Sequence, residues 1–228
     1  MESEEDIRVD VVSDVVCPWC YVGQRNLQRA LVRLGGAKVS VSWRPYQLDP
    51  TIPPGGRDRD EYLLDKFGSR ERIDAMHERL REIGAAAGIA FAFEAIRITP
   101  NTLDAHRLIR WAAAEGTDVQ GRLVARLFRL YFEEGGDIGA APTLLAAARA
   151  AGMDTSTAET LLPTPADAEE VKAEIATAQH MGVTGVPCFL LEGRYALMGA
   201  QPPERLADAI AQVRHAKARG ELDDPSMD

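Results

Sequence analysis

The spacing of apolar positions changes several times along this chain, and each change predicts an element. Arg8-Val9-Asp10-Val11-Val12-Ser13 alternates and is rich in valine, which predicts a strand. Beyond it Cys20, Gly23, Leu27, Ala30, Leu31 and Leu34 recur at helical spacing, and Gly35-Gly36 ends the run. A second strand is predicted from Val39 to Arg44, with Val39, Val41 and Trp43 on one face and Pro45 closing it. Pro50, Pro53, Pro54, Gly55 and Gly56 then mark a loop.

From there to about Gly182 the pattern is almost wholly helical. Ile73, Met76, Leu80, Ile83 and Ala87 form an apolar stripe, and Val119, Leu123, Leu127, Leu130 and Tyr131 form another. Between them a helix is predicted from Thr102 to Ala114, with Asn101-Thr102 as its cap. Leu144, Leu145, Ala148 and Ala151 make a stripe stopped by Gly152, and Ala168, Val171, Ile175 and Ala178 one stopped by Gly182. Then Cys188-Phe189-Leu190-Leu191, a Glu192-Gly193 turn and Arg194 to Met198 predict a hairpin. Leu206, Ala209, Ile210 and Val213 define a last helix, and Glu221 to Asp228 are expected to be a disordered acidic tail.

This order predicts an α/β fold in which strands from both ends of the chain share one sheet. Residues 1–56 and 183–220 would form that unit, and 57–182 an all-helical insertion between the second and third strands. The chain of 228 residues is long enough for one domain with such an insertion. Its net charge of −9, from 26 basic and 35 acidic side chains, argues against a nucleic-acid partner and an anionic membrane surface. Met1 to Asp10 are acidic and lack the basic and apolar regions of a secretory signal, so a cytoplasmic location is expected.

Cys17-Pro18-Trp19-Cys20 lies where the first strand gives way to the first helix. At a helix N-terminus, free N–H groups and the helix dipole favour a negative sulfur, and the thiolate is the reactive form of cysteine. Pro18 fits the first helical position, where no N–H is needed. Cys20 is close enough to close a small disulfide with Cys17. A zinc half-site is the rival reading, but structural zinc usually draws on two such pairs, and this chain has one pair and a distant third cysteine. An inert buried pair is the other rival. A CxxC opening the first helix of such a pattern points to a thioredoxin-like fold. There, a cis proline stands before the third strand, facing the CxxC, and Val186-Pro187 occupies that position. It leaves the Val186 backbone groups free to pair with a peptide or with glutathione. A trans proline beginning a strand is the plainer alternative.

With these motifs in place, the chain resembles the DsbA-like thioredoxin superfamily, in its FrnE-like branch. The resemblance rests on Ser13-Asp14-Val15-Val16-Cys17-Pro18-Trp19-Cys20-Tyr21 and on Trp43-Arg44-Pro45-Tyr46-Gln47-Leu48-Asp49-Pro50. It continues through Pro100-Asn101-Thr102 with Ala105-His106, Tyr131-Phe132 with Asp137-Ile138-Gly139, Gly185-Val186-Pro187, and Tyr195-Ala196 with Gly199-Ala200-Gln201-Pro202. It implies a thioredoxin fold with a helical insertion and disulfide oxidoreductase chemistry, and it links the branch to polyketide biosynthesis clusters. Kappa-class glutathione transferases and 2-hydroxychromene-2-carboxylate isomerases are similar in layout but carry serine where Cys17 stands.

The resemblance implies Cys17 and Cys20 as the catalytic pair, with Pro18 and Trp19 in the active-site loop. Val186 and Pro187 would dock a disulfide or dithiol substrate, protein or small thiol. Glutathione is a candidate co-substrate, no resident cofactor or metal is expected, and the chain is taken as a monomer or homodimer. His106 shares a helical face with Leu103, Ile109 and Arg110 and is a candidate groove residue beside Asn101, against the alternative of a packed histidine. By resemblance to glutathione-binding relatives, Gly199 and Gln201 would touch a γ-glutamyl group. His77, among charged residues, is expected to be solvated. Cys188 is either a small buried hydrophobe or a third thiol near the site. The rival functions are a glutathione-dependent isomerase or transferase, and a non-catalytic metal-binding or chaperone module.

Overall fold

The computed structural model describes residues 7–223. The main sheet begins with β1 (Ile7–Ser13), which leads through a short loop into α1 (Pro18–Arg33) and then β2 (Val39–Pro45). β1 pairs in parallel with β2, from Ile7 opposite Val39 to Ser13 opposite Pro45. The insertion follows: β3 (Arg57–Asp58), α2 (Arg59–Phe67), α3 (Arg70–Ala87), β4 (Ile98–Thr99), α4 (Leu103–Ala114), α5 (Thr117–Phe132), α6 (Ala141–Ala150), α7 (Ser156–Leu161) and α8 (Ala168–His180). The chain returns through β5 (Cys188–Leu191) and β6 (Tyr195–Met198) and ends in α9 (Pro203–Ala218). The sheet order is β2-β1-β5-β6, with β5 antiparallel to β1 and β6 antiparallel to β5.

β1 is the central strand, and its surroundings override its alternating sequence. Ile7, Val9, Val11 and Val12 are all buried, as are Asp10 and Ser13. Both faces of β1 are covered, as for a strand between helical layers. Phe189 and Leu191 join the core that includes residues of α1 and α9, whereas Val12 and Cys188 pack with Ala178 and Val183 on the α8 side. The buried Asp10 carboxylate is answered by Arg44 Nε at 2.8 Å and Arg8 Nε at 3.1 Å.

The insertion is bound into the same core. Leu123, Leu127, Phe128, Tyr131 and Phe132 line one face of α5 with 0% exposure, and burying such side chains stabilises the fold by roughly 1.5–3 kcal/mol each. Tyr21, the residue after Cys20, stacks on Phe128 with ring centroids 5.2 Å apart and meets Phe91 edge-on at 6.0 Å. Its hydroxyl donates to Glu133 Oε1 at 2.6 Å. The helix that carries the CPWC motif is thus fastened directly to the insertion.

Two sequence expectations are corrected and a third is narrowed. The insertion is not all helical: Arg57 pairs with Thr99 and Asp58 with Ile98 in a separate antiparallel ladder. Each strand has two residues, too few to leave a period in the sequence. Gly56, at φ +75°, permits the crossing, because a Cβ there would stand 2.5 Å from Ile98 Cγ2. Of the Asn101-Thr102 pair expected to cap α4, Asn101 makes the bond: its Oδ1 accepts from Leu103 N at 2.9 Å, while the Thr102 side chain makes no capping bond. The expected tail begins as a short 3₁₀ turn, Glu221–Asp223, with Leu222 buried; residues 224–228 lie outside the described residues.

Candidate active site

Cys17 is the N-cap residue of α1, with extended φ and ψ of −90° and 114°, and Pro18 follows at the first helical position. Its carbonyl accepts from Cys20 N at 3.0 Å and Tyr21 N at 3.2 Å, and its own N–H donates to Asp14 O at 3.0 Å. These bonds fix the loop and hold the sulfur at the positive end of the helix. The Cys17 thiol reaches Val186 O at 3.8 Å. All three cysteines are free thiols.

The two thiols of the motif have different surroundings. Cys17 borders an open cleft, whereas Cys20 is fully buried behind it. Burial raises the Cys20 thiol pKa well above its ordinary value, and the hydrogen bond to Cys17 and its charge add to this. The Ser13 hydroxyl and the Asp14 backbone oppose the shift without cancelling it. At neutral pH Cys20 therefore holds its proton.

The Val186–Pro187 peptide is cis. Gly23 of α1 lets this segment come close: a Cβ there would stand 2.9 Å from Pro187 Cγ and 3.2 Å from Phe189 Cζ. From the other side Gly199 N donates to Pro187 O at 2.7 Å. The Gln201 N–H reaches Gly199 O at 2.8 Å, and the Gln201 carbonyl accepts from Asn26 Nδ2 at 2.9 Å. Gly199 and Gln201 thus brace the proline segment, and neither is among the residues that line the cleft.

The cleft has a volume of about 380 Å³. One wall is Cys17, Pro18, the half-exposed Trp19, Gly185 and Val186; the other belongs to the insertion, with Ile52 in the loop ahead of it. The insertion wall is largely apolar, through Leu63, Phe67, Met76, Leu80 and Phe93, with Arg59, Lys66 and His77 among them. A second cavity of about 360 Å³, between α1, β2 and α5, contains none of the thiols.

Asn101 and His106, expected in the groove, are turned inward. Asn101 gives Nδ2 to Ile52 O and accepts from Gln47 Nε2 and Leu103 N, so its polar atoms are consumed by the fold. His106 is 3% exposed, and its Nε2 lies 3.3 Å from Oδ1 of Asp14, itself buried. The other Asp14 oxygen accepts from Leu48 N at 2.8 Å. The histidine thus pins the loop that precedes Cys17 from inside the protein. Cys188 lies on the α8 face of the sheet, away from α1, and burial raises its thiol pKa. That fits the buried-hydrophobe reading.

His77 is half-buried rather than solvated throughout. Its ring stacks on Phe93 at 4.1 Å, and Nε2 is buried without a hydrogen-bond partner. Burial, then the charges of Arg59 and Arg81, push its pKa down to about 4. A sequence signal existed: Ile73, His77 and Leu80 fall on one helical face. Arg59 carried no comparable signal. Among the described residues, no group of three or more His, Cys, Asp or Glu side chains is placed to hold a metal ion. None of the described helices is long and apolar enough to cross a membrane.

A family model described as DSBA-like thioredoxin domain matches residues 8–211. A probable DsbA oxidoreductase from Streptomyces coelicolor shares 32% sequence identity, with a TM-score of 0.81 over 94% of this chain and 91% of that one. Two solved structures are similar in fold at lower identity. The cytosolic disulfide reductase DsbM of Pseudomonas aeruginosa is 22% identical, with a TM-score of 0.65 over 92% of this chain and all, 100%, of its own. A 2-hydroxychromene-2-carboxylate isomerase is 18% identical, with a TM-score of 0.67 over 95% and 100%.

Proposed function

The chain belongs to the DSBA-like thioredoxin domain family, and from that premise we propose that it is a thiol–disulfide oxidoreductase working through Cys17 and Cys20. The observation that carries this reading is the asymmetry of the pair: one sulfur at a helix N-terminus facing a cleft, the other buried and proton-holding behind it.

In the reducing direction the Cys17 thiolate attacks one sulfur of a substrate disulfide. A Cys17–substrate S–S bond forms, the substrate S–S bond breaks, and the departing thiolate takes a proton from solvent. Cys20 then loses its proton and attacks Cys17. The Cys17–Cys20 bond forms, the mixed disulfide breaks, and the second substrate thiolate leaves. The substrate gains two electrons and the protein pair is oxidised by two. Oxidation of a dithiol is the same sequence reversed. Val186, with its carbonyl near the Cys17 sulfur and its N–H without a backbone partner among the described residues, would hold an extended substrate beside Pro187. Pro18 and Trp19 border the approach to the sulfur. The insertion, residues 57–182, would select the substrate by forming the opposite wall. In the cytoplasm expected from the sequence, glutathione would set the poise of the pair.

Equilibration of the protein with glutathione buffers, followed by acid quench and mass analysis, tests this reading. An intramolecular Cys17–Cys20 disulfide should appear in a two-electron transition, about 30 mV per decade. It should be absent from Cys17→Ser and from Cys20→Ser. Failure to form that disulfide at any poise would remove the proposal.

A further inference from the structure

The insertion wall of the cleft carries a buried cation without an anion. Arg59 is 9% exposed. Its Nη1 donates to the Tyr131 hydroxyl at 2.9 Å, and the guanidinium lies 5.6 Å from that ring's centroid. Its Nε is buried and has no hydrogen-bond partner. Arg107, 2% exposed, is answered by Asp104 at 2.7 Å and by the carbonyls of Leu161, Thr164 and Ala166. Buried cations are normally paired in this way. Arg59 makes no such ion pair among the described residues.

His77 lines the same cleft with its own unpartnered Nε2. Two carboxylates also border the cleft, and both are committed elsewhere. Asp14 accepts from Leu48 N and faces His106, and Asp49 accepts from the N–H and hydroxyl of Thr51. Two nitrogens that lack acceptors therefore stand in the wall of a largely apolar cleft that Cys17, itself 4% exposed, also borders.

We propose that Arg59 and His77 form an anion subsite that receives a carboxylate of the thiol or disulfide substrate while its sulfur lies against Cys17. The inference rests on the reading of Cys17 as the attacking sulfur and names the substrate class: a small molecule carrying both a thiol, or its disulfide, and a carboxylate. The two carboxylate oxygens accept from Arg59 Nε and His77 Nε2. A cleft of about 380 Å³ suits a small ligand.

Binding at this subsite is linked to a proton. In the empty cleft His77 is held neutral by burial and by Arg59 and Arg81, against the weaker pull of Glu94 and Asp74. A carboxylate beside the imidazole favours its protonated form. The bound state therefore takes up a proton as pH falls from neutral, and binding tightens in that direction.

The first arm of the test avoids thiol chemistry. Methylthiopropionate, an unreactive thioether acid, is added to the wild-type protein while the ring resonances of His77 are followed by NMR. The resonances should move and the His77 pKa should rise. The response should be lost in Arg59→Met and partly kept in Arg59→Lys, with thermal melting confirming that each variant folds. A His77 signal that ignores the probe in the wild-type protein overturns the subsite. The second arm compares the reaction rates of reduced protein with dithiodipropionate and with neutral bis(hydroxyethyl) disulfide. The carboxylate-bearing disulfide should be favoured about tenfold, and the ratio should fall to near unity in Arg59→Met. An unchanged ratio contradicts the proposal. If neither disulfide reacts, the oxidoreductase reading fails, while the NMR arm still decides the subsite by itself.

Discussion

The two walls of the cleft are built on different principles. The CPWC wall is set by backbone: a helix N-terminus, a loop tied to Asp14 O, and a proline segment pressed against Gly23. The insertion wall is set by side chains on α2 and α3, which project apolar surface and two unpartnered nitrogens. Backbone geometry of the first kind suits one invariant reaction at one sulfur. Side chains of the second kind can be exchanged without moving that sulfur. On the proposed function, the difference would give chemistry to the first wall and selection to the second.

The largest expected effect breaks the comparison on the chemical side. Cys17→Ser should abolish disulfide exchange for every substrate, whereas changes at Arg59 should alter the ranking of substrates. Parallel rate measurements on a charged and a neutral disulfide separate the two outcomes.

The second effect tests whether the walls are one folding unit. Phe128 lies beneath Tyr21 and is fully buried, so Phe128→Ala should cost about 3–5 kcal/mol. Because the stack joins the two regions, the loss should appear as one cooperative urea transition at a lower midpoint. Separate transitions for the sheet and the insertion would contradict the shared core.

A third effect perturbs only the chemical wall. In Gly23→Ala the added methyl meets Pro187 and Phe189, and relief requires the proline segment to shift. We expect a loss of about 1–3 kcal/mol in stability and slower exchange with all substrates alike. Unchanged kinetics would show that the segment's position is not needed.

The smallest effect concerns pH and the selective wall. The folded His77 pKa, about 4, lies below the unfolded value of about 6.5. Between these values the unfolded chain binds the proton and the folded protein does not, so stability rises with pH across that window. The penalty is absent above the unfolded value and fully present below the folded one. His77→Gln should flatten the dependence of the urea midpoint over this range. An equal slope in both proteins would show that His77 is not the group responsible.

Legibility in the sequence followed the same division. The strands, the helical stripes and the placement of Cys17 were readable because each depends on local spacing or on a residue's position in a motif. β3 and β4 were not readable, since two-residue strands leave no period. Asn101 and His106 were read as groove candidates, with a packed histidine as the alternative for His106, and both side chains point into the fold. A helical face fixes which way a side chain points only once its neighbours are known, and here the neighbours are Ile52, Gln47 and Asp14. His77 was misread because the charged residues around it outweighed its place on the Ile73–Leu80 face. Arg59 was invisible because its burial depends on Tyr131, far away in sequence.

The central claim is that Cys17 alone meets the substrate. A single turnover of reduced protein with bis(hydroxyethyl) disulfide, quenched in acid and mapped by peptide mass, tests it directly. In Cys20→Ser, which cannot resolve the adduct, a hydroxyethylthio group should accumulate on Cys17 and on no other residue. An adduct on Cys188, or on Cys20 in the matching Cys17→Ser protein at a comparable rate, would contradict the account.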